Sequence, residues 1–334
     1  MKNANQQNSH KEIFFAVTLT TLICALSLSI PVLGFFFFLI LPLPAIYYRI
    51  RLGKKPAAIV MLISFMLLMA IAGTLTADIF FLSGMLILGF FMGEFIERNL
   101  TVEKTIGYAC GIVLIAGTFG LILYGNISNL GLSEVISNYI GKNLNLTLML
   151  YKQMEVPEEN IRLLSNAMDQ IHYVLVRIIP SLLASGLLFA AWLNILLTRI
   201  TFKRIALKEM AFKAQKTTYA ALGPLNIWKA PDSLVWGVIG FSLMLLIPNT
   251  FMKMLGINGM ILFVVIYFFQ GMAIISFYFD KKKIPVVLRA LLYGIIFIQQ
   301  ILVFAIAGLG FFDVWLNFRK LGINNNNKQI PLSS

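Results

Sequence analysis

Apolar residues in this chain come in long unbroken runs separated by short charged breaks. The first run, residues 13–48, holds 36 consecutive positions without a charge. As one helix it would be about 54 Å long at 1.5 Å per residue, against a hydrocarbon core of roughly 30 Å. Pro31, then Pro42 and Pro44, interrupt the run, and Arg49 and Arg51 close it. This pattern predicts two short spans, 13–30 and 32–48, joined by a tight turn. Further runs follow at 56–75, 79–95, 106–124, 173–197, 234–251, 257–279 and 284–309. They are continuous rather than alternating, which argues for helices and against a β-barrel. The expected fold class is therefore all-α: a polytopic transmembrane helix bundle of eight or nine spans.

Between the fifth and sixth spans lies a long polar stretch, 125–172, which the pattern predicts to be an amphipathic helical segment. Pro157, Glu158 and Glu159 mark a helix start, with proline in the first turn and acids at the positive end of the dipole. Ile161, Leu164, Met168, Ile171 and Leu175 then recur at spacings of three and four, one stripe running into the sixth span. A second helix is expected before it, over about 133–153. Two readings fit the pair: a hairpin lying on the outer mouth, or a lid over a binding cavity. The resulting division is a polar N-terminal tail (1–12), a six-span bundle (13–198), a basic amphipathic segment (199–233), a three-span bundle (234–320) and a polar tail (321–334).

Composition agrees with burial in lipid: 59% of residues are apolar and 12% charged, where soluble domains carry about 25% charged residues. The net charge of +13 comes from Lys and Arg clustered in loops between apolar runs. That distribution reads as topology signal and attraction to anionic lipid, not as nucleic-acid binding. With the N-terminus in the cytoplasm, the inner loops 49–55, 96–105, 198–233 and 280–283 carry four, two, seven and three basic residues. The outer set is then the Pro31, Asp78 and Lys253 turns and the stretch 125–172, which holds five acids against three bases, in agreement, although Arg319 and Lys320 fall outside after nine crossings. The run after residue 12 has no small-residue cleavage site before the prolines, so it reads as a retained first helix. The expected localisation is a membrane that the chain crosses several times, with the N-terminus in the cytoplasm.

Candidate chemistry is sparse. Cys24 and Cys110 both fall inside apolar runs, with no disulfide framework or zinc spacing. No phosphate loop, HExxH, GxSxG or Asp-rich metal motif is present. No catalytic residue, metal site or cofactor is expected, and the protein does not read as an enzyme. Asp169, Tyr173 and Arg177 share one helical face with His172 beside them, and Asp78 sits on the opposing outer turn. These five are the substrate-binding candidates. Either Arg177 pairs with an acid to lock the outer mouth, or it receives an anion. Glu94 and Arg98 form an i,i+4 pair at an inner helix end. Gln270, Gln299, Gln300 and Asn194 are expected to bond between helices. Gly89–Gly93 and Gly107–Gly111 have the small-xxx-small spacing, and the first span carries a small-residue ladder of Ala16, Thr20, Thr21, Ala25 and Ser29. Packing within the bundle and a groove for a partner helix both explain such ladders. The basic segment, with Ile205, Leu207, Met210 and Phe212 interleaved, suits an interfacial helix on anionic lipid or a dock for an acidic cytosolic protein.

Three stretches carry a resemblance. They are Ile30-Pro31-Val-Leu-Gly with Leu41-Pro42-Leu-Pro44, then Ile227-Trp228-Lys-Ala-Pro231-Asp-Ser-Leu-Val-Trp236, and Gly310-Phe-Phe-Asp313-Val-Trp315-Leu-Asn-Phe318-Arg319-Lys320. In order and spacing they resemble the YybS-like family of uncharacterised bacterial membrane proteins, over nearly the whole chain. That resemblance implies an inner-membrane protein and brings no established activity. The first six spans are also similar in layout to the substrate-binding S-components of energy-coupling-factor transporters. Shared features are a small-residue first helix, a proline-containing outer turn, a short second span and the Gly53–Pro56 inner turn. This likeness implies that Ala16, Thr20, Thr21, Ala25 and Ser29 dock on a transmembrane coupling subunit that works with ATPases. The strict Ala-xxx-Ala pair of that family is missing, and three extra spans follow.

Overall fold

The computed structural model describes residues 2–30, 33–73, 77–154, 156–208 and 223–320, and every regular element among them is helical. Pro31 and its turn, the middle of the basic segment (209–222) and the tail 321–334 lie outside the described residues. Contacts divide the chain into two units, Met1–Leu222 and Gly223–Ser334.

The first unit contains α1 (Lys2–Ser29), α2 (Leu33–Ile40), α3 (Pro42–Leu52), α4 (Lys54–Ala72), α5 (Ala77–Glu97), α6 (Val102–Ile127), α7 (Leu132–Gln153) and α8 (Glu158–Lys208). Proline sets the break between α2 and α3: Pro42 and Pro44 have no N–H to continue the ladder, and Pro42 begins the new helix. Asn194 of α8, fully buried, donates to the Leu39 carbonyl beside this break at 2.7 Å and to Ala190 at 2.7 Å. The expected interhelical role of Asn194 is thus observed. Gly53, at φ +85°, turns α3 into α4. Both α5 and α6 end on an asparagine at positive φ, Asn99 and Asn129. The next N–H, from Leu100 or Leu130, bonds back five residues to Phe95 or Gly125, closing the orphan carbonyls.

Close packing centres on α3 against α5. A Cβ on Gly89 would lie 2.4 Å from the Pro42 carbonyl oxygen, and one on Gly93 would lie 2.8 Å from the Arg49 Cβ. Only glycine allows that approach. Leu41, Ile46, Leu88, Met92 and Ile96 are sealed around it. A second cluster joins Ala16 and Val17 of α1 to Tyr48 and Val60. The predicted outer helices are present as α7 and the first turns of α8. α8 continues through Pro180 into the span as one helix of 51 residues.

The second unit contains a 3₁₀ turn (Leu225–Ile227), then α9 (Leu234–Leu246), α10 (Thr250–Lys281), α11 (Val286–Ile298) and α12 (Gln300–Leu316). Two sequence expectations are corrected here. The run 234–251 is not one span: α9 stops after 13 residues, about 20 Å long. Pro248 prevents continuation, and Asn249 restarts the chain as the cap of α10, its Oδ1 accepting from the N–H groups of Phe251 and Met252. The turn therefore lies at 247–249, not at Lys253. Likewise 284–309 is two helices bent by 103° at Gln299. No proline or glycine forces this bend. It accompanies the tight seating of α12 on α10, where a Cβ on Gly310 would lie 2.0 Å from the Tyr267 carbonyl oxygen. A Cβ on Gly271 would lie 2.1 Å from that of Ile306.

Among the described residues, seven helical stretches are long and apolar enough to cross a bilayer, and eight if α11 and α12 form one broken span. The protein is a polytopic helical bundle. The count of nine falls because α9 is too short.

Candidate functional site

The first unit carries a partly open cavity of about 550 Å³ between α2, α5, α6 and α8, inside the 300–1,000 Å³ range of small-molecule sites. Its walls are Phe35 and Phe38 from α2, Phe80 and Phe81 from α5, Val113 from α6, and Leu182 and Phe189 from α8. Gly84, Gly117 and Gly186 open the space from three of those helices. A Cβ on Gly117 or Gly186 would meet no atom within 4 Å. The only polar side chains on the wall are the hydroxyls of Ser83, Thr118 and Ser185. Ser83 donates to Phe80 and Thr118 to Leu114, each within its own helix. The Ser185 hydroxyl is buried without a partner among the described residues. Among the described residues, no titratable side chain lines the space. It suits an apolar ligand carrying at most one or two neutral hydrogen-bonding groups, and it offers no acid or base.

The five predicted substrate-binding residues lie elsewhere, and none lines this cavity. His172 Nε2 sits 3.0 Å from the Ser137 carbonyl and 3.3 Å from its hydroxyl, holding α8 against α7. Arg177 folds back on its own helix, donating to the Tyr173 carbonyl at 2.9 Å, its guanidinium carbon 3.3 Å from the Tyr173 ring centroid. Asp169 is exposed. Asp78 acts on Tyr139 of α7: burial pushes the Tyr139 phenol above its usual value, the Asp78 charge adds to the rise, and Asn143 opposes it. Of the small-residue ladder, Ala16 and Thr20 are enclosed by the protein's own helices, at 0% and 1% exposure. A partner helix on that face would meet Thr21, Ala25 and Ser29. Of the glycine pairs, Gly89–Gly93 is consumed by α3, whereas Gly107 and Gly111 have no neighbour within 4 Å among the described residues.

At the far end of the α3–α5 contact is a charge cluster that sequence reasoning missed. Arg49 is 3% exposed and reaches Glu94 through Nε at 3.2 Å and through Nη2. Its Nη1 lies 2.8 Å from Glu97, close but not aligned as a hydrogen bond. Arg98 holds the other Glu94 oxygen at 2.6 Å. The i,i+4 Glu94–Arg98 spacing was visible in the sequence. The third partner, 45 residues away, was not.

The second unit contains a buried polar knot that unites two of the three motif stretches. Arg319 donates through Nη2 to Asp313 at 2.9 Å. Its Nη1 donates to the carbonyls of Asn226 at 3.0 Å and Trp228 at 2.8 Å. Gln270 of α10 donates to Asp313 at 3.2 Å and accepts from the Ala230 N–H at 3.2 Å. The other Asp313 oxygen accepts from the Phe318 N–H at 2.9 Å, across a turn made by Asn317 at φ +42°. Asp313 and the Arg319 side chain are 2% and 0% exposed. Of the motif residues, Asp313, Arg319 and Trp228 therefore meet in one place, with Pro231 just after Ala230. Pro42 serves the α3–α5 contact instead. No group of three or more His, Cys, Asp or Glu able to hold a metal occurs among the described residues.

No curated protein and no solved structure matches the chain. The family described as "Predicted membrane protein (DUF2232)" matches residues 18–314, which takes in the first two motif stretches and the start of the third, and the chain belongs to that family.

Proposed function

We propose that this protein binds an apolar, uncharged solute in the membrane and serves transport, in the manner of an S-component, without catalysis of its own. The observation that carries this reading is the cavity of about 550 Å³ in the first unit, with apolar walls and one unpartnered hydroxyl on Ser185. A ligand there gains by burying apolar surface at roughly 25 cal/mol per Å² and by pairing that hydroxyl. In this reading the protein lies in a bacterial cytoplasmic membrane with its N-terminus inside. The less buried positions of the ladder, the half-buried Thr21 and Ala25 and the exposed Ser29, face a transmembrane coupling subunit.

Native mass spectrometry of the gently extracted protein tests the reading. A retained apolar small molecule is expected in the natural protein. It should be lost in Gly117→Leu and Gly186→Leu, whose side chains enter open space and so fill the site without disturbing a neighbour. An empty natural protein, or equal retention after both substitutions, refutes it.

A further inference from the structure

In the second unit, the C-terminal end of α10 and the chain just after α12 form a partly open cavity of about 680 Å³. Its walls include Asn226, Tyr278, Lys281, Phe318, Arg319 and Lys320. One acid, Asp280, also lines it, but that carboxylate is already engaged: Arg289 forms an ion pair with it, and Asn226 Nδ2 donates to it at 2.9 Å. Arg289 is fixed in that position by the carbonyls of Phe279 at 3.1 Å and Ile284 at 2.7 Å. Asp313, the acid paired with Arg319 of the wall, is likewise engaged. Lys281 and Lys320 are therefore exposed cations whose acidic neighbours are spoken for, and Lys282 and Lys283 follow Lys281 in the chain. Two buried polar atoms beside the cavity also lack partners among the described residues, Arg319 Nε and Asn226 Oδ1.

The cavity sits where an apolar helix of 32 residues ends in basic residues, the depth at which lipid headgroups lie. Phe312 and Trp315, 53% and 57% exposed, immediately precede its Phe318–Lys320 wall. Aromatic residues at that depth mark the membrane–water boundary.

We propose that this cavity binds a phosphate group, with Lys281 and Lys320 as its direct contacts and the paired Arg319 as a positioning residue that fixes the Lys320 turn. The phosphate belongs either to an anionic phospholipid headgroup or to a free phosphate anion. The site is separate from the apolar cavity of the first unit and does not depend on what binds there.

The test uses the full-length protein in nanodiscs of phosphatidylcholine alone or of equal parts phosphatidylcholine and phosphatidylglycerol, with lipid retention read by native mass spectrometry. Selective retention of phosphatidylglycerol is expected. It should fall roughly thirtyfold in Lys281→Gln/Lys320→Gln, given about 1 kcal/mol per lysine near an anionic surface. It should be unchanged in Lys253→Gln, at the other end of the same helix. An unchanged tryptophan emission spectrum identifies a double variant that is still folded. If inorganic phosphate displaces the lipid or binds without it, and the double variant abolishes that binding, the free anion is the source. Retention equal in the double variant and the natural protein, or neither lipid nor phosphate bound, overturns the proposal.

Discussion

Removing Arg319 is the most informative single perturbation, because the second unit is tied together through it. In Arg319→Met the apolar stem is kept and the guanidinium lost. Asp313 then keeps only Gln270 and the Phe318 N–H as partners, at 2% exposure. Breaking one side of a buried pair costs about 3–5 kcal/mol, since it strands the other charge. The carbonyls of Asn226 and Trp228 also lose their donor, at about 1 kcal/mol each. The contributions share one network, so a net loss of about 4–6 kcal/mol is expected rather than a larger sum. Denaturation by SDS in mixed micelles, followed by tryptophan emission, reads this directly, because Trp228, Trp236 and Trp315 all lie in this unit. The companion Asp313→Asn removes the stranded charge. In the double variant the cost should be smaller than the sum of the singles by about 2 kcal/mol. A loss below about 1 kcal/mol in Arg319→Met, or strict additivity in the double variant, refutes the argument.

Other substitutions probe separate parts of the fold. Arg49→Gln leaves Glu94 with Arg98 alone and should destabilise the first unit by about 3 kcal/mol, read as greater protease sensitivity. Because the two sites do not share partners, its effect should add to that of Arg319→Met. Asn249→Ala removes the cap of α10 and should cost about 1 kcal/mol by SDS denaturation. Tyr139 gives the pH dependence: an unfolded tyrosine ionises near pH 10, whereas burial and Asp78 hold the folded phenol protonated to higher pH. Its contribution is complete below about pH 10 and is lost as pH rises through the folded value. Alkaline loss of stability should therefore be shallower in Tyr139→Phe.

The helices themselves were legible because lipid burial leaves long apolar runs that only helices can satisfy. The α7–α8 hairpin was legible for a local reason: Pro157 followed by two acids, then a stripe of period three to four. What the sequence hid was tertiary in origin. The Pro248-Asn249 pair did lie in plain view, but the apolar count on either side outweighed it and moved the turn to Lys253. The bend at Gln299 has no local marker, since it answers to the close approach of α12 and α10. Arg49 looked like a loop charge setting topology. Its burial depends on Gly93, 44 positions away, being small enough to let it reach Glu94. The residues of the polar knot were visible as a motif, but their partnership was not, because Trp228 and Arg319 are separated by most of the second unit.

Glycine does two opposite jobs in these helices, and spacing alone does not tell them apart. Gly89, Gly93, Gly271 and Gly310 are small so that another helix can come close. Any Cβ there would meet backbone or a Cβ at less than 3.0 Å. Gly117 and Gly186 are small while nothing comes close, and both border the apolar cavity. A helix interior that gains nothing from glycine gives up roughly 0.5–1 kcal/mol relative to alanine, so in these two the missing side chain keeps space open. The sign of the alanine substitution should therefore separate the two classes. Gly117→Ala and Gly186→Ala should stabilise the protein by up to about 1 kcal/mol while narrowing the cavity. Gly271→Ala and Gly310→Ala should destabilise it by at least 2 kcal/mol, because the α10–α12 crossing must spread. Equal signs in the two pairs would mean that the cavity is a packing defect rather than a preserved site.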